Sequence, residues 1–207
     1  MRLFCFFMLT LPLAAQTSRF TLGITGGVPL GSITSSAGRE ESKRYTFGPL
    51  LEISFTEHIT VAVNPLYKRT GWSFPPYSGV TPEVEFRFDG TRSRSHSLEL
   101  PVIGKYSFGA ANRRWRPFLG SGFAFQAAWQ RTETRGSLRN LETNMVQSLD
   151  LGSELRTPTD VGAVASAGIS LRRGRFAFVP EIRYKRWGSS SSARSRHQAD
   201  FLFSIRF

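Results

Sequence analysis

The chain has 207 residues, 40% of them hydrophobic, 13% aromatic and 20% charged, with a formal net charge of +12. That composition suits one domain with a buried core and excludes disorder; glycines without a period of three exclude collagen, and a single Cys excludes a disulfide scaffold. A basic balance joined to 18 Phe and a mean hydropathy of −0.21 leaves two readings, a nucleic-acid binder or a barrel that turns an apolar face to lipid.

The chain begins with a positive Arg2, an apolar run from Leu3 to Leu13 and the small pair Ala14-Ala15. This order is that of an export signal, so residues 1–15 are expected to be removed and residues 16–207 to form one domain. Cys5 lies inside the apolar run, which leaves the mature chain free of Cys and of a lipid anchor. Loss of Arg2 leaves 26 bases and 15 acids, a net charge of +11. No later run reaches the roughly 18 apolar residues of a transmembrane helix.

Beyond the signal, period-two alternation dominates and helical spacing hardly appears. Arg19 to Val28 sets Phe20, Leu22 and Ile24 against Thr21, Gly23 and Thr25. Tyr45 to Phe55 and Ile59 to Lys68 do the same, with Glu52 and Lys68 on their polar faces. His96 to Phe108 opposes Leu98, Leu100, Val102 and Tyr106 to Ser97, Glu99 and Lys105. Trp115 to Trp129, Thr159 to Leu171, Phe176 to Trp187 and Gln198 to Phe207 complete eight segments. Each is about ten residues or slightly longer, the length of a tilted membrane-crossing strand.

The connections after the second, fourth and sixth segments are short (Thr56 to His58, Gly109 to Arg114, Arg172 to Arg175). Those after the first, third, fifth and seventh are long (Gly31 to Arg44, Arg69 to Ser95, Gln130 to Pro158, Gly188 to His197). Strict alternation of short turns and long loops is the habit of outer-membrane barrels. The expected fold is therefore all-β, an eight-stranded antiparallel up-and-down transmembrane β-barrel.

The aromatic face carries no charge until Arg186, at a strand end. The opposite face holds Glu52, Glu99, Asp160, Glu181 and Asp200 against Lys68, Lys105, Arg116, Arg183, Lys185 and Arg206. Eight strands leave room only for side chains, so these charges are expected to pair as an internal network rather than line an ion path. Pro49, Pro65, Pro101, Pro117 and Pro180 fall inside strands, where each removes a ladder donor, and local bulges are expected there.

Leu98-Glu99-Leu100-Pro101-Val102-Ile103-Gly104-Lys105-Tyr106, Arg116-Pro117-Phe118-Leu119-Gly120-Ser121-Gly122 and Glu181-Ile182-Arg183-Tyr184 resemble successive strands of the outer-membrane β-barrel domain family, whose relatives include small OmpA/OmpX-type barrels. Pro101 and Pro117 match prolines of that family, while Gly104 stands where an aliphatic residue is usual. The closing Phe201, Phe203, Ile205 and Phe207 resemble the signal read by the barrel assembly machinery. The resemblance implies a Gram-negative outer-membrane location and that machinery as a partner during insertion. It implies fold and place more firmly than activity.

Some of the positive excess lies at the short turns, as Arg113-Arg114 and Arg172-Arg173-Arg175, and more is expected in the long loops. There Arg87, Arg92, Arg94, Arg131, Arg135, Arg139, Arg194 and Arg196 would contact anionic lipid, lipopolysaccharide or another surface polysaccharide. Val84, Phe86 and Phe88 alternate with charged residues, as in a hairpin arm rising above the membrane. Export and the lack of a recognised motif argue against nucleic acid. No phosphate loop, nucleophile elbow or metal-ligand spacing occurs, so neither cofactor nor catalysis is expected. His96, Ser97 and Glu99 resemble in type the triad of barrel enzymes that deacylate lipid A, but adjacent strand residues face opposite ways. A monomer with a structural or surface-binding role is the reading preferred; a lipid-modifying enzyme and a small channel are its alternatives.

Overall fold

The computed structural model describes residues 19–30, 39–40, 44–110, 113–188 and 196–207. The export signal and Arg194 lie outside the described residues. Eleven strands form: β1 (Arg19–Pro29), β2 (Arg39–Glu40), β3 (Tyr45–Ser54), β4 (Ile59–Val63), β5 (Leu66–Phe74), β6 (Tyr77–Val80), β7 (Val84–Ser107), β8 (Trp115–Asn140), β9 (Val146–Arg173), β10 (Phe176–Trp187) and β11 (His197–Arg206). All pairings are antiparallel, in the order β1-β11-β10-β9-β8-β7-β4-β3, and β3 returns to β1 to close the ring. The closing seam runs from Gly23 opposite Arg206 to Pro29 opposite Asp200, and the Phe207 N–H donates to the Leu22 carbonyl at 3.0 Å. β4 and β5 are two halves of one stave, and β2 and β6 pair outside the ring with β5 and β7. The wall thus has the eight staves that the alternation predicts.

Alternation explains why the wall forms. Every second residue faces out, so Phe20, Phe47, Leu98, Leu119, Phe123 and Ile182 are all more than half exposed. So wide an apolar band is untenable in water and suits a hydrocarbon surround. The inward positions are filled, and they are not all polar: Leu50, Leu66, Ile103, Phe118, Val164, Val179, Trp187 and Leu202 pack among the charges. Ile103, Ala124, Val164 and Trp187 form a buried apolar cluster within the barrel.

Two expectations are corrected. The hairpin arm expected at Val84, Phe86 and Phe88 forms against Tyr77–Val80, but residues 69–74, 89–95, 130–140 and 146–158 are strand as well rather than loop, and β7, β8 and β9 run 24, 26 and 28 residues. Roughly ten residues cross a membrane, so these three staves continue far beyond it as a raised sheet. The second correction concerns proline. Across Pro49, Pro101, Pro117 and Pro180 the strand register is kept, and only Asn64–Pro65 interrupts a stave, itself without a shift. The register shifts occur instead between Phe88 and Gly90, and between Gln126 and Ala128 where Pro158 and Thr159 stand opposite Ala127.

Asn64 explains the tolerance. Its own N–H donates to the Pro101 carbonyl at 3.2 Å, and its Nδ2 donates to the Pro49 carbonyl at 2.5 Å. Pro65 faces Pro49 and has no N–H to give, so the Asn64 side chain supplies the missing donor. Gly48 beside this seam lets the strands meet closely, since a Cβ there would lie 1.8 Å from the Pro65 carbonyl oxygen.

Candidate functional site

Charged side chains inside the wall gather into two clusters. Toward the short turns, Lys105 Nζ bridges Glu52 at 3.2 Å and Glu181 at 2.9 Å, Arg206 pairs with the other Glu52 oxygen, and Arg183 donates twice to Glu181 Oε1 at 2.9 and 2.8 Å. Toward the raised sheet, Lys68 pairs with Asp200 at 2.8 Å and with Glu99 at 3.7 Å, while Lys185 pairs with Glu99 and with Asp200 at 2.5 Å. Lys185 and Asp200 are 0% exposed. Lys185 also lies 5.9 Å from the Trp187 ring centre and Lys105 4.7 Å from that of Phe118.

A neutral layer separates the clusters. Asn64 accepts from Arg183 at 3.4 Å and donates to Thr25 Oγ1 at 3.3 Å, and Thr25 meets Ser204 at 2.8 Å. Gln126 donates to Glu99 at 3.2 Å and Gln198 accepts from Lys68 at 3.3 Å. Buried charges survive only when paired and hydrogen-bonded, and these neutral groups occupy positions that the ion pairs leave open.

Nine of the eleven expected interior charges therefore meet. Arg116 does not join them: one residue into its strand, it reaches back to the turns and donates to the Glu57 carbonyl at 2.6 Å and the Gly109 carbonyl at 3.5 Å. Asp160 stands at the upper rim, half-exposed, where its Oδ1 accepts the Val161 N–H at 2.8 Å. Sequence reading missed Thr25, Asn64, Gln126, Gln198 and Ser204 as partners, although all lie at inward positions of the alternation.

The basic surface is arranged differently from expectation. Arg87 pairs with Asp89 at 3.3 Å, Arg131 with Glu133 at 3.0 Å and Arg139 with Glu85 at 3.7 Å; Arg139 also donates to Asn144. Over residues 77–95 and 130–158 the seven arginines are matched by seven acids, so the raised sheet is balanced and does not carry the excess. The three short turns, residues 55–58, 108–116 and 172–175, hold six arginines and one acid.

One outward cluster does form at the foot of the raised sheet. Tyr45, Arg69, His96, Trp129 and Arg156 stand opposite one another on successive staves, and the next row holds Arg94, Arg131 and Glu154. Tyr67 is hydrogen-bonded to His96, which stacks on Trp129 at 5.9 Å. Four arginines thus stand in or just above an aromatic belt, and of these Arg69 and Arg156 escaped the sequence reading. Arg92 and Arg135 lie higher on the sheet, and Arg196 is exposed at the start of the last stave.

His96 belongs to this outer belt, whereas Ser97 and Glu99 are buried inside, so the three do not converge on a reacting atom. Among the described residues no group of three His, Cys, Asp or Glu is arranged to hold a metal.

The family described as "Outer membrane protein beta-barrel domain" matches residues 14–188. Among curated proteins none matches the chain. Of solved structures, the N-terminal β-barrel domain of Pseudomonas aeruginosa OprF is similar at 13% identity, covering 93% of this chain and 100% of that one, with a TM-score of 0.49. Neisserial surface protein A is similar at 12% identity, covering 90% and 94%, with a TM-score of 0.46. Ail, the attachment invasion locus protein of Yersinia pestis, solved with the heparin analogue sucrose octasulfate, is similar at 8% identity, covering 91% and 97%, with a TM-score of 0.45.

Proposed function

The chain belongs to the outer membrane protein β-barrel domain family and is a protein of the Gram-negative outer membrane, and from that premise we propose a structural and surface-binding role, exercised through anionic lipid of the outer leaflet. The supporting observation is the arginine cluster at the aromatic belt, Arg69 and Arg156 within its row and Arg94 and Arg131 in the row above. Tyr and Trp settle at the boundary between hydrocarbon and head groups, so arginines in that row and the next one up reach the level of lipid A phosphates and acidic core sugars. Guanidinium forks suit phosphate and carboxylate alike.

Long extensions face outward and short turns face the periplasm in barrels of this kind, which gives the orientation. The protein works as a monomer after loss of residues 1–15. Phe201, Phe203, Ile205 and Phe207 share the lipid-facing side of the last stave, where the assembly machinery can read them during insertion. The interior is a packed support rather than a pore, and no acyl-hydrolase chemistry operates.

The test is titration of the refolded protein with lipopolysaccharide, intact and dephosphorylated. Arg94→Gln with Arg131→Gln is expected to weaken binding of the intact form about tenfold, at roughly 1 kcal/mol or less per charge. Equal affinity for both lipid forms, or no effect of the substitutions, contradicts the role.

A further inference from the structure

At the short-turn end the barrel opens into a cup of about 860 Å³. Arg113, Arg116, Arg172, Arg175 and Arg206 line it, interspersed with the hydroxyls of Ser54, Thr60 and Ser170. Among the described residues the acidic side chains that line it are Glu52 and Glu57. Glu52 forms part of the floor, already committed to Lys105 and Arg206. Among the described residues no acid pairs with Arg113, Arg172 or Arg175, and the Nε groups of Arg116 and Arg206 are buried without a hydrogen-bond partner. The turns are held in place. The Arg172 N–H donates to the Arg114 carbonyl at 2.7 Å, Arg116 clamps two turns, and Gly174, at φ 62, starts the two-residue hairpin that presents Arg175. Positive φ at the first turn position is that of a type II′ hairpin, for which Gly is the natural residue.

Like charges held around one cavity repel, and the repulsion is greatest where low-dielectric walls focus the field. An anion relieves it. The ion-pair clusters above the floor make the cup blind, so it serves as a receptor rather than an entrance. Its size exceeds one phosphate and falls in the roughly 300–1,000 Å³ range of small-ligand sites. We propose that this cup is a binding site for compact anions bearing several phosphates, approached from the short-turn side. The proposal is independent of the outer-leaflet role, because it uses none of the same residues.

The experiment is isothermal titration of the full refolded chain, in phosphatidylcholine nanodiscs, with inositol hexakisphosphate as a probe that has no acyl chain. Saturable binding is expected, weakened at least tenfold by Arg172→Gln with Arg175→Gln, which takes two guanidinium donors away from the rim of the cup. Arg87→Gln with Arg139→Gln should leave it unchanged. Arg175→Glu alone, within the hairpin turn, is the second variant should the first not fold. A parallel arm measures retention of phosphatidylglycerol by the same variants, since a lipid head group carries the same phosphate chemistry. No saturable probe binding, equal affinity in the turn variants, or an effect confined to phosphatidylglycerol overturns the proposal.

Discussion

Lys185 and Asp200 sit 2.5 Å apart with no exposure to solvent, a placement that neither could occupy alone. Removing one partner of a buried pair strands the other and typically costs about 3–5 kcal/mol. Glu99→Leu, which leaves two lysines on a single acid, should therefore lower the urea midpoint of the protein folded in lipid vesicles by an equivalent amount. Glu99→Leu with Lys185→Met should recover part of that loss, and additive losses would show that the two residues act separately. Asn64→Ala removes the donor to Pro49 and the acceptor for Arg183, and about 1–3 kcal/mol of destabilisation should follow. The charged members of the interior were legible because alternation places a Lys, Arg, Asp or Glu on a face otherwise meant for burial. Asn64 stood on the polar face of its strand but was not read as a member, because an uncharged side chain there does not demand a partner as a buried charge does. Its role depends on Pro49, a residue on another strand.

Strand identity was legible wherever one face is apolar, which covers all eight staves. Beyond the arm at Val84 to Phe88, the raised sheet was hidden because long stretches of it are polar on both sides. Arg131, Glu133 and Arg135 alternate with Thr132, Thr134 and Gly136, and period-two reading has no contrast to detect. Cross-strand pairs hold it instead: Thr91 with Thr134 at 3.0 Å, Ser93 with Thr132 at 3.1 Å, and the stacked Tyr77 and Phe88 rings at 4.9 Å. Such pairs contribute about 0.2–1 kcal/mol each, far less than a sealed interior. The sheet should thus be separable from the barrel. Replacing residues 133–152, between the paired Thr132 and Ser153, by an Asn-Gly turn should leave heat-modifiable gel migration intact. Loss of the fast-migrating folded form would mean that the raised sheet is part of the folding unit. The prolines teach a related lesson. A closed wall has no edge to hide them, yet register survives because Asn64 substitutes for a lost donor at the one seam where two prolines face.

At the scale of the molecule, the net charge and the Phe content divide by region. Phe covers the lipid face, the interior ion pairs nearly cancel, and the raised sheet is balanced. Six arginines against one acid put a surplus at the short turns, while four arginines gather locally in and just above the aromatic belt, within a sheet that is balanced overall. Both positions are where anionic head groups or phosphates present themselves. The wall closes on itself and its lumen is shut by paired charges, while binding at its two ends is what we propose. Whether the lumen is shut is read by planar-bilayer recording of refolded protein, first shown to be folded by heat-modifiable migration. A shut lumen passes no steady current above the bare bilayer at either polarity; a steady current, raised further by Glu99→Ala, would mean that the lumen is open.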